Sequence, residues 1–275
     1  MLVALTIGGL VVSSIFQLIS GQGRFVELQS AREEVQQNTR ASLELISSEL
    51  RTMPAGASLV MASSDSLTIR AARIWGVVCE VVSATSLDIA VPILDGASYA
   101  TNLGTGAVVN LGTSMAPLWS SAVAVTAIAD GVSNCSGAAL PAGAQARRLT
   151  LSATPSNGSE TPALGDGLYI YDQVTYRTGT STGVPGLWIQ RRVGEGVGAT
   201  NQPMAGPIDD ETGGLRFSYF AGSSSTPLTL PITDATIRST VNRIVVVVES
   251  VSRNSFGDDR ESKTDTVIVP LRNRI

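Results

Sequence analysis

Few side chains in this chain could do chemistry, and one type is missing altogether. None of the 275 residues is His. That removes His-based general acid–base catalysis, Ser-His-Asp and Cys-His nucleophiles, and every His-ligated metal site. Two cysteines, Cys79 and Cys135, are too few for a Cys-only zinc site. The sequence pairs no nucleophile with a base, carries no G-x-x-x-x-G-K phosphate loop, and offers no run of alternating basic and aromatic residues for single-stranded nucleic acid. No enzymatic activity is expected.

Carboxylates cluster twice. Asp209-Asp210-Glu211 precedes the strand-like run at Leu215, and Asp258, Asp259 and Glu261 sit in the turn before the last strand. Calcium needs 6–8 oxygens from flexible loops. Without D-x-D-x-D-G spacing, solvated turns are the favoured reading. Asp209, Asp210, Glu211, Asp258 and Asp259 stay as calcium candidates, and no cofactor is otherwise expected. Trp75, Trp119 and Trp188 with Tyr169, Tyr171 and Tyr176 could form a glycan platform. Tyr169 and Tyr171 are two apart and so share a strand face, which favours sheet packing instead.

Cys79 and Cys135 each lie among apolar or small residues. A disulfide between them is favoured over two free buried thiols. Such a bond needs an oxidising compartment, which places the soluble part in the periplasm or outside the cell. Formal charge is −4, so there is no global basic field for nucleic acid.

These residues must be positioned by two kinds of element. Leu2–Ile19 reads LVALTIGGLVVSSIFQLI, eighteen residues without a charge. As a helix it spans roughly 27 Å, near the thickness of a bilayer core. A signal peptide is disfavoured, because no Lys or Arg precedes Arg24 and no A-x-A site follows. A plain membrane anchor is the other alternative. Arg24–Arg51 has no Pro or Gly, and Leu28, Ala31, Val35, Leu43, Ile46, Leu50 and Met53 recur at helical spacing. Glu27, Glu33, Glu34, Glu44 and Glu49 belong to the opposite, charged face. Pro54 and Gly56 stop the helix.

Beyond it, strand-like runs appear at 66–74, 77–82, 87–91, 123–128 and 148–152, separated by Asp-Gly and Asn-Gly turn signals. The expected organisation is a helix over 1–54 with a transmembrane segment at 2–19, then a β-rich domain over 55–275. Within 58–167, only Asp95 and Asp130 are charged between Ile89 and Ala146. That is the pattern of a loop-rich extracellular β region, or of an uncharged face packed on neighbouring subunits.

The opening M-L-V-A-L-T-I-G-G-L-V-V resembles the mature start of type IV pilins and pseudopilins. In that family F-T-L-x-E precedes L or M and then L-V-A-L, so Met1 takes the position after the family's glutamate and the leader and cleavage site are expected upstream. The family's helix-breaking proline would align with Gln17 and is absent here; Gly21 and Gly23 could loosen the helix instead.

The C-terminal order Val174-Thr175-Tyr176-Arg177, Leu187-Trp188-Ile189-Gln190-Arg191, Leu215-Arg216-Phe217-Ser218-Tyr219-Phe220, an Ile/Val-rich strand and Pro270-Leu271-Arg272-Asn273-Arg274 resembles PilW-type minor pilins and J-type minor pseudopilins of type II secretion. The resemblance covers 1–56 and 168–275 and leaves 58–167 as a variable region. It implies an α+β, pilin-like fold, with a long helical spine packed on an antiparallel sheet. It also implies single-pass insertion in the inner membrane, a periplasmic C-terminal domain, and incorporation into a pilus or pseudopilus. The implied partners are other minor and major pilins or pseudopilins, the inner membrane and the assembly platform; from the sequence itself no nucleic acid contact is evident. Ala4, Gly8, Gly9, Ser13 and Ser14 are small enough to let helices approach closely. A tethered surface-binding module is the alternative function.

The cysteine reading is checked by mass spectrometry of the unreduced protein, in which one linked peptide pair should join Cys79 to Cys135. Two alkylatable thiols in native material refute it.

Overall fold

Without a proline before Pro54, nothing in the first fifty residues interrupts the helical hydrogen-bond ladder. The result is one helix, α1 (Leu2–Thr52), of 51 residues and roughly 75 Å. It runs through Gly21 and Gly23 without a break. The computed structural model describes residues 2–53, 58–91, 105–112, 118–130, 135, 144–194, 199–209, 213–256 and 259–271.

The strands that follow are β1 (Leu59–Ala62), β2 (Ser66–Ser83), β3 (Ser86–Val91), β4 (Thr105–Asn110), β5 (Val123–Asp130) and β6 (Gln145–Leu151). They continue with β7 (Gly167–Ser181), β8 (Val184–Val193), β9 (Thr200–Ile208), β10 (Leu215–Ala221), β11 (Val241–Phe256) and β12 (Asp259–Pro270). All belong to one sheet, and every pairing is antiparallel.

Two runs expected to be separate strands, 66–74 and 77–82, form the single long strand β2. Its register shifts between Ala72 and Ile74, which leaves Arg73 out of alternation. From β2 the order passes through β3, β6, β5 and β4 to β7, and β7 pairs back onto β2. These six strands therefore close a barrel. Its interior holds Ile74, Leu87, Ile89, Val109, Leu149 and Leu168. From β7 the sheet continues through β8 and β9 to β11, which β10 and β12 flank. This second part curves around the C-terminal half of α1, and Ile46, Leu50 and Met53 pack with Leu67, Val174 and Phe217. Each such side chain contributes about 2 kcal/mol, as an upper figure.

This architecture corrects the expected fold class. Strand makes up 54% of the described residues and helix 24%. The molecule is sheet-dominated, where a pilin-like α+β fold led by its helical spine was expected. The physical reason is that the stretch 58–167 supplies barrel strands, and these join the C-terminal strands in one sheet through the β2–β7 pairing.

Cys79, on β2, is disulfide-bonded to Cys135 in the connection between β5 and β6. The bond ties that connection to the barrel wall.

Tyr176 and Tyr219 are fully buried in the helix-side core. Burial pushes both phenols well above 10.0, and the neighbouring carboxylate of Glu49 or Asp65 adds to the shift. Below pH about 10, folded and unfolded chains both keep these protons. Above it the unfolded chain releases them and the folded one does not. Stability should therefore fall as pH rises past about 10, by about 1.4 kcal/mol per pH unit for each tyrosine. Denaturant unfolding between pH 8 and 11 measures this, and Tyr219→Phe should remove about half of the slope due to the pair. A slope unchanged in that variant contradicts the assignment.

Candidate functional site

Along α1 the first described side chain that is buried is Ala31. N-terminal to it, among the described side chains, Leu28 is half-buried and the apolar residues from Ile7 to Val26 have no cover. Leu10 is 70% exposed, Phe16 71% and Val26 62%. Ile7, Val11, Val12, Ile15, Leu18 and Ile19 are exposed as well. At about 100° per residue these positions cover roughly two thirds of the circumference, and Gly9, Ser13, Gln17 and Ser20 fall in the remaining sector. A helix apolar over most of its circumference belongs against something apolar, and no described residue elsewhere in the chain covers it.

The polar atoms of the segment fit the same requirement. Ser14 Oγ donates to the Leu10 carbonyl at 2.9 Å, so that hydroxyl is satisfied within the helix. Gly8, Gly9, Gly21 and Gly23 would each meet nothing within 4 Å if given a Cβ. Each glycine costs a helix about 1 kcal/mol relative to Ala, and no internal contact requires it. Ser13 is exposed, and the side chain of Ala4 lies outside the described residues. Among the described residues, no helix is long and apolar enough to cross a membrane. The described side chains of the run, Ile7–Ile19, number thirteen, or roughly 20 Å.

The other half of α1 is held at several points. Near its middle, Arg32 pairs with Glu261 at 3.2 Å and Glu34 with Arg253 at 2.9 Å. Both pairs are partly exposed and worth under about 1 kcal/mol each. Asn38 Nδ2 donates to the Gly206 carbonyl at 2.9 Å. Nearer the C-terminus, Glu49 accepts from Arg191 Nε at 2.9 Å and from the Tyr176 hydroxyl. Glu49 was placed on the solvent face of the helix by its spacing. It instead ties α1 to β7 and β8. Its partners lie more than a hundred positions away, so no local pattern marks it.

The remaining sequence candidates are dispersed. Asp209 sits in a turn closed by backbone bonds, with its N–H on the Glu249 carbonyl at 3.1 Å and its carbonyl accepting from Gly214 at 2.9 Å. Asp210, Glu211 and Asp258 lie outside the described residues, as does the side chain of Asp259. Among the described residues no group of three His, Cys, Asp or Glu side chains could hold a metal ion. The aromatic set divides into three. Tyr176 is internal, Trp188 lies under Arg253 with 5.6 Å to its ring centroid, and Trp75, Trp119, Tyr169 and Tyr171 gather beside β2 and β7.

Comparison with known protein families, curated proteins and solved structures finds no match to this chain.

Removing the Glu49 carboxylate leaves Arg191 and Tyr176 unpartnered at a half-buried site. Glu49→Ala should lower the unfolding free energy by about 2–3 kcal/mol, and Glu49→Gln by less. The urea midpoint measures both. A midpoint unchanged in Glu49→Ala shows that the contact holds nothing.

Proposed function

We propose that this chain is a structural minor subunit of a type IV pilus, and that it helps initiate or cap the filament through helix packing. The observation that carries the proposal is the exposed, largely apolar stretch Ile7–Val26 of α1, continuous in one helix with a half that is anchored in the protein core. The M-L-V-A-L-T-I-G-G-L-V-V opening and the order of the C-terminal motifs support the same reading. So do the glycines, which no contact among the described residues requires. A minor pseudopilin of type II secretion would use the same helix in the same way.

In this proposal residues 2–19 lie in the inner membrane before assembly and the sheet domain faces the periplasm. Residues 2–6 extend the apolar run to eighteen, close to the length a bilayer requires. Lipid chains and neighbouring helices are comparably apolar, so moving the segment from one to the other changes its hydrophobic burial little. What then decides association is close packing, which Gly8, Gly9, Ser13 and Ser14 permit. No catalytic step is assigned.

Gly9→Leu and Ser13→Leu keep the segment apolar and add bulk where helices approach. Membrane insertion should survive, while co-purification with partner pilin subunits and surface filament number should fall several-fold. In a separate variant, Ser30→Cys should react with a membrane-impermeant thiol reagent in intact spheroplasts. The proposal fails if both leucine variants assemble normally, and the topology fails if Ser30→Cys reacts only after lysis.

A further inference from the structure

Along the half of α1 that touches the sheet, the buried side chains change type. Leu43, Ile46, Leu50 and Met53 are apolar and belong to the helix-side core. Nearer the free end the buried positions are Ala31, Val35, Thr39 and Ser42. β11 changes in the same direction. Ile244, Val246 and Val248 are in that core, and alternation puts Ser250 on their face. Ser250 and Ser252 are both fully buried. The two changes coincide in space. Thr39 Oγ1 lies 3.4 Å from the Lys263 carbonyl, and Lys263 stands opposite Ser250 on β12.

These hydroxyls do little to join helix and sheet. Thr39 Oγ1 donates to the Val35 carbonyl at 2.8 Å, and Ser42 Oγ to the Asn38 carbonyl at 2.6 Å, both within α1. Ser252 Oγ accepts from the Glu261 N–H at 3.1 Å, within the sheet. Ser250 Oγ is buried with no hydrogen-bond partner among the described residues. Such a hydroxyl has lost water without gaining a partner, so an opening that wets it is favoured by that amount. What crosses the contact is the Asn38–Gly206 hydrogen bond, the long Thr39–Lys263 approach, and the Arg32–Glu261 and Glu34–Arg253 pairs. A cleft of about 270 Å³ already lies between Arg32, Val35 and Gln36 on one side and Glu261, Ser262 and Lys263 on the other.

We propose that α1 is a strap with a fixed part and a releasable part: Ala31–Thr39 lifts off β11 and β12 by turning about Ser42, while Leu43–Met53 stays seated. The lifted state wets Ser250 and uncovers two apolar side chains, Ala31 and Val35. Moving α1 as one rigid piece would instead draw Leu50 and Met53 out of the core and break the Glu49 contacts to Tyr176 and Arg191. Turning about Ser42 avoids both losses. Hydroxyls that bond back to the carbonyl four residues earlier loosen a helix and often bend it, and Thr39 and Ser42 both do so. The device lets the free end change its angle to the sheet domain while the join at Glu49 holds. It is independent of the filament assignment, because every contact involved lies within this chain.

The test uses the full chain in detergent micelles. Cys79 and Cys135 are bonded to each other, so a single introduced thiol reports alone when N-ethylmaleimide is added. Thr39→Cys places the thiol under the releasable part, and Val246→Cys places it in the fixed core; both positions are buried. Each rate is referred to that of the same variant unfolded in urea. Thr39→Cys should react about a hundredfold faster than Val246→Cys, which waits for global unfolding. In the Thr39→Cys background, Arg253→Gln should speed alkylation several-fold by removing one pair. Ser250→Ala, which removes the unpartnered hydroxyl, should slow it by about tenfold. Ala31→Cys is a second reporter that should follow Thr39→Cys, and it carries the comparison if Thr39→Cys does not fold. Reporters on α1 that react no faster than Val246→Cys overturn the proposal. So does a reporter rate that Ser250→Ala leaves unchanged or raises.

Discussion

From Ser66 opposite Arg177 to Val77 opposite Gly167, β2 and β7 run together as a seam about a hundred residues apart in sequence, interrupted only by the bulge at Arg73. Everything else attaches to it. On one side β3, β6, β5 and β4 bridge the two strands and close the barrel. On the other, β8 continues from β7 toward the strands that enclose the helix. Because the seam is shared, a single alternation along β7 serves two cores. Leu168 and Ile170 fill the barrel, and Val174 and Tyr176 fill the space beneath α1. A one-residue slip would turn all four outward at once. The Arg73–Asp172 pair at 3.0 Å lies on this seam, and the disulfide from Cys79 lies just past its end.

The parts that were readable from the sequence are those set by local rules. The absence of Pro and the 3.6-residue stripe marked α1, and turn signals marked most strands between Ser66 and Leu151. What was hidden depends on contacts far apart along the chain. β4 reads T-G-A-V-V-N, too short and small-sided to stand out, yet Gly106 is required there because a Cβ would come 2.3 Å from the Tyr171 hydroxyl. β9 contains Pro203 and Pro207, residues that argue against a strand except at an edge or a bulge, and the β8–β9 register shifts on both sides of Ile189, next to these prolines. Sheet dominance followed from the closing of the barrel, which no window of the sequence encodes.

The proposed site divides in the same way. The apolar run at the N-terminus is plain in composition. The anchor that holds its other end, Glu49 with Tyr176 and Arg191, joins residues 127 and 142 positions apart. The hydroxyl-lined contact under α1 also draws on distant segments. Thr39 and Ser250 look unrelated until the helix is laid across β11 and β12.

One feature of α1 bears on mechanics. An unbroken helix is a stiff rod, and its attachments at Glu34, Asn38 and Glu49 are spread over fifteen residues, or roughly 22 Å along its axis. Tension applied at the free end and directed along that axis reaches these attachments together, as shear, and does not open them one after another as peeling would. Shear loads contacts in parallel, so the force needed to extract the rod grows with their number. A sideways pull would act first on the exposed Arg32–Glu261 and Glu34–Arg253 pairs, the weakest of the set. The join between rod and sheet is therefore strong along one direction and compliant across it.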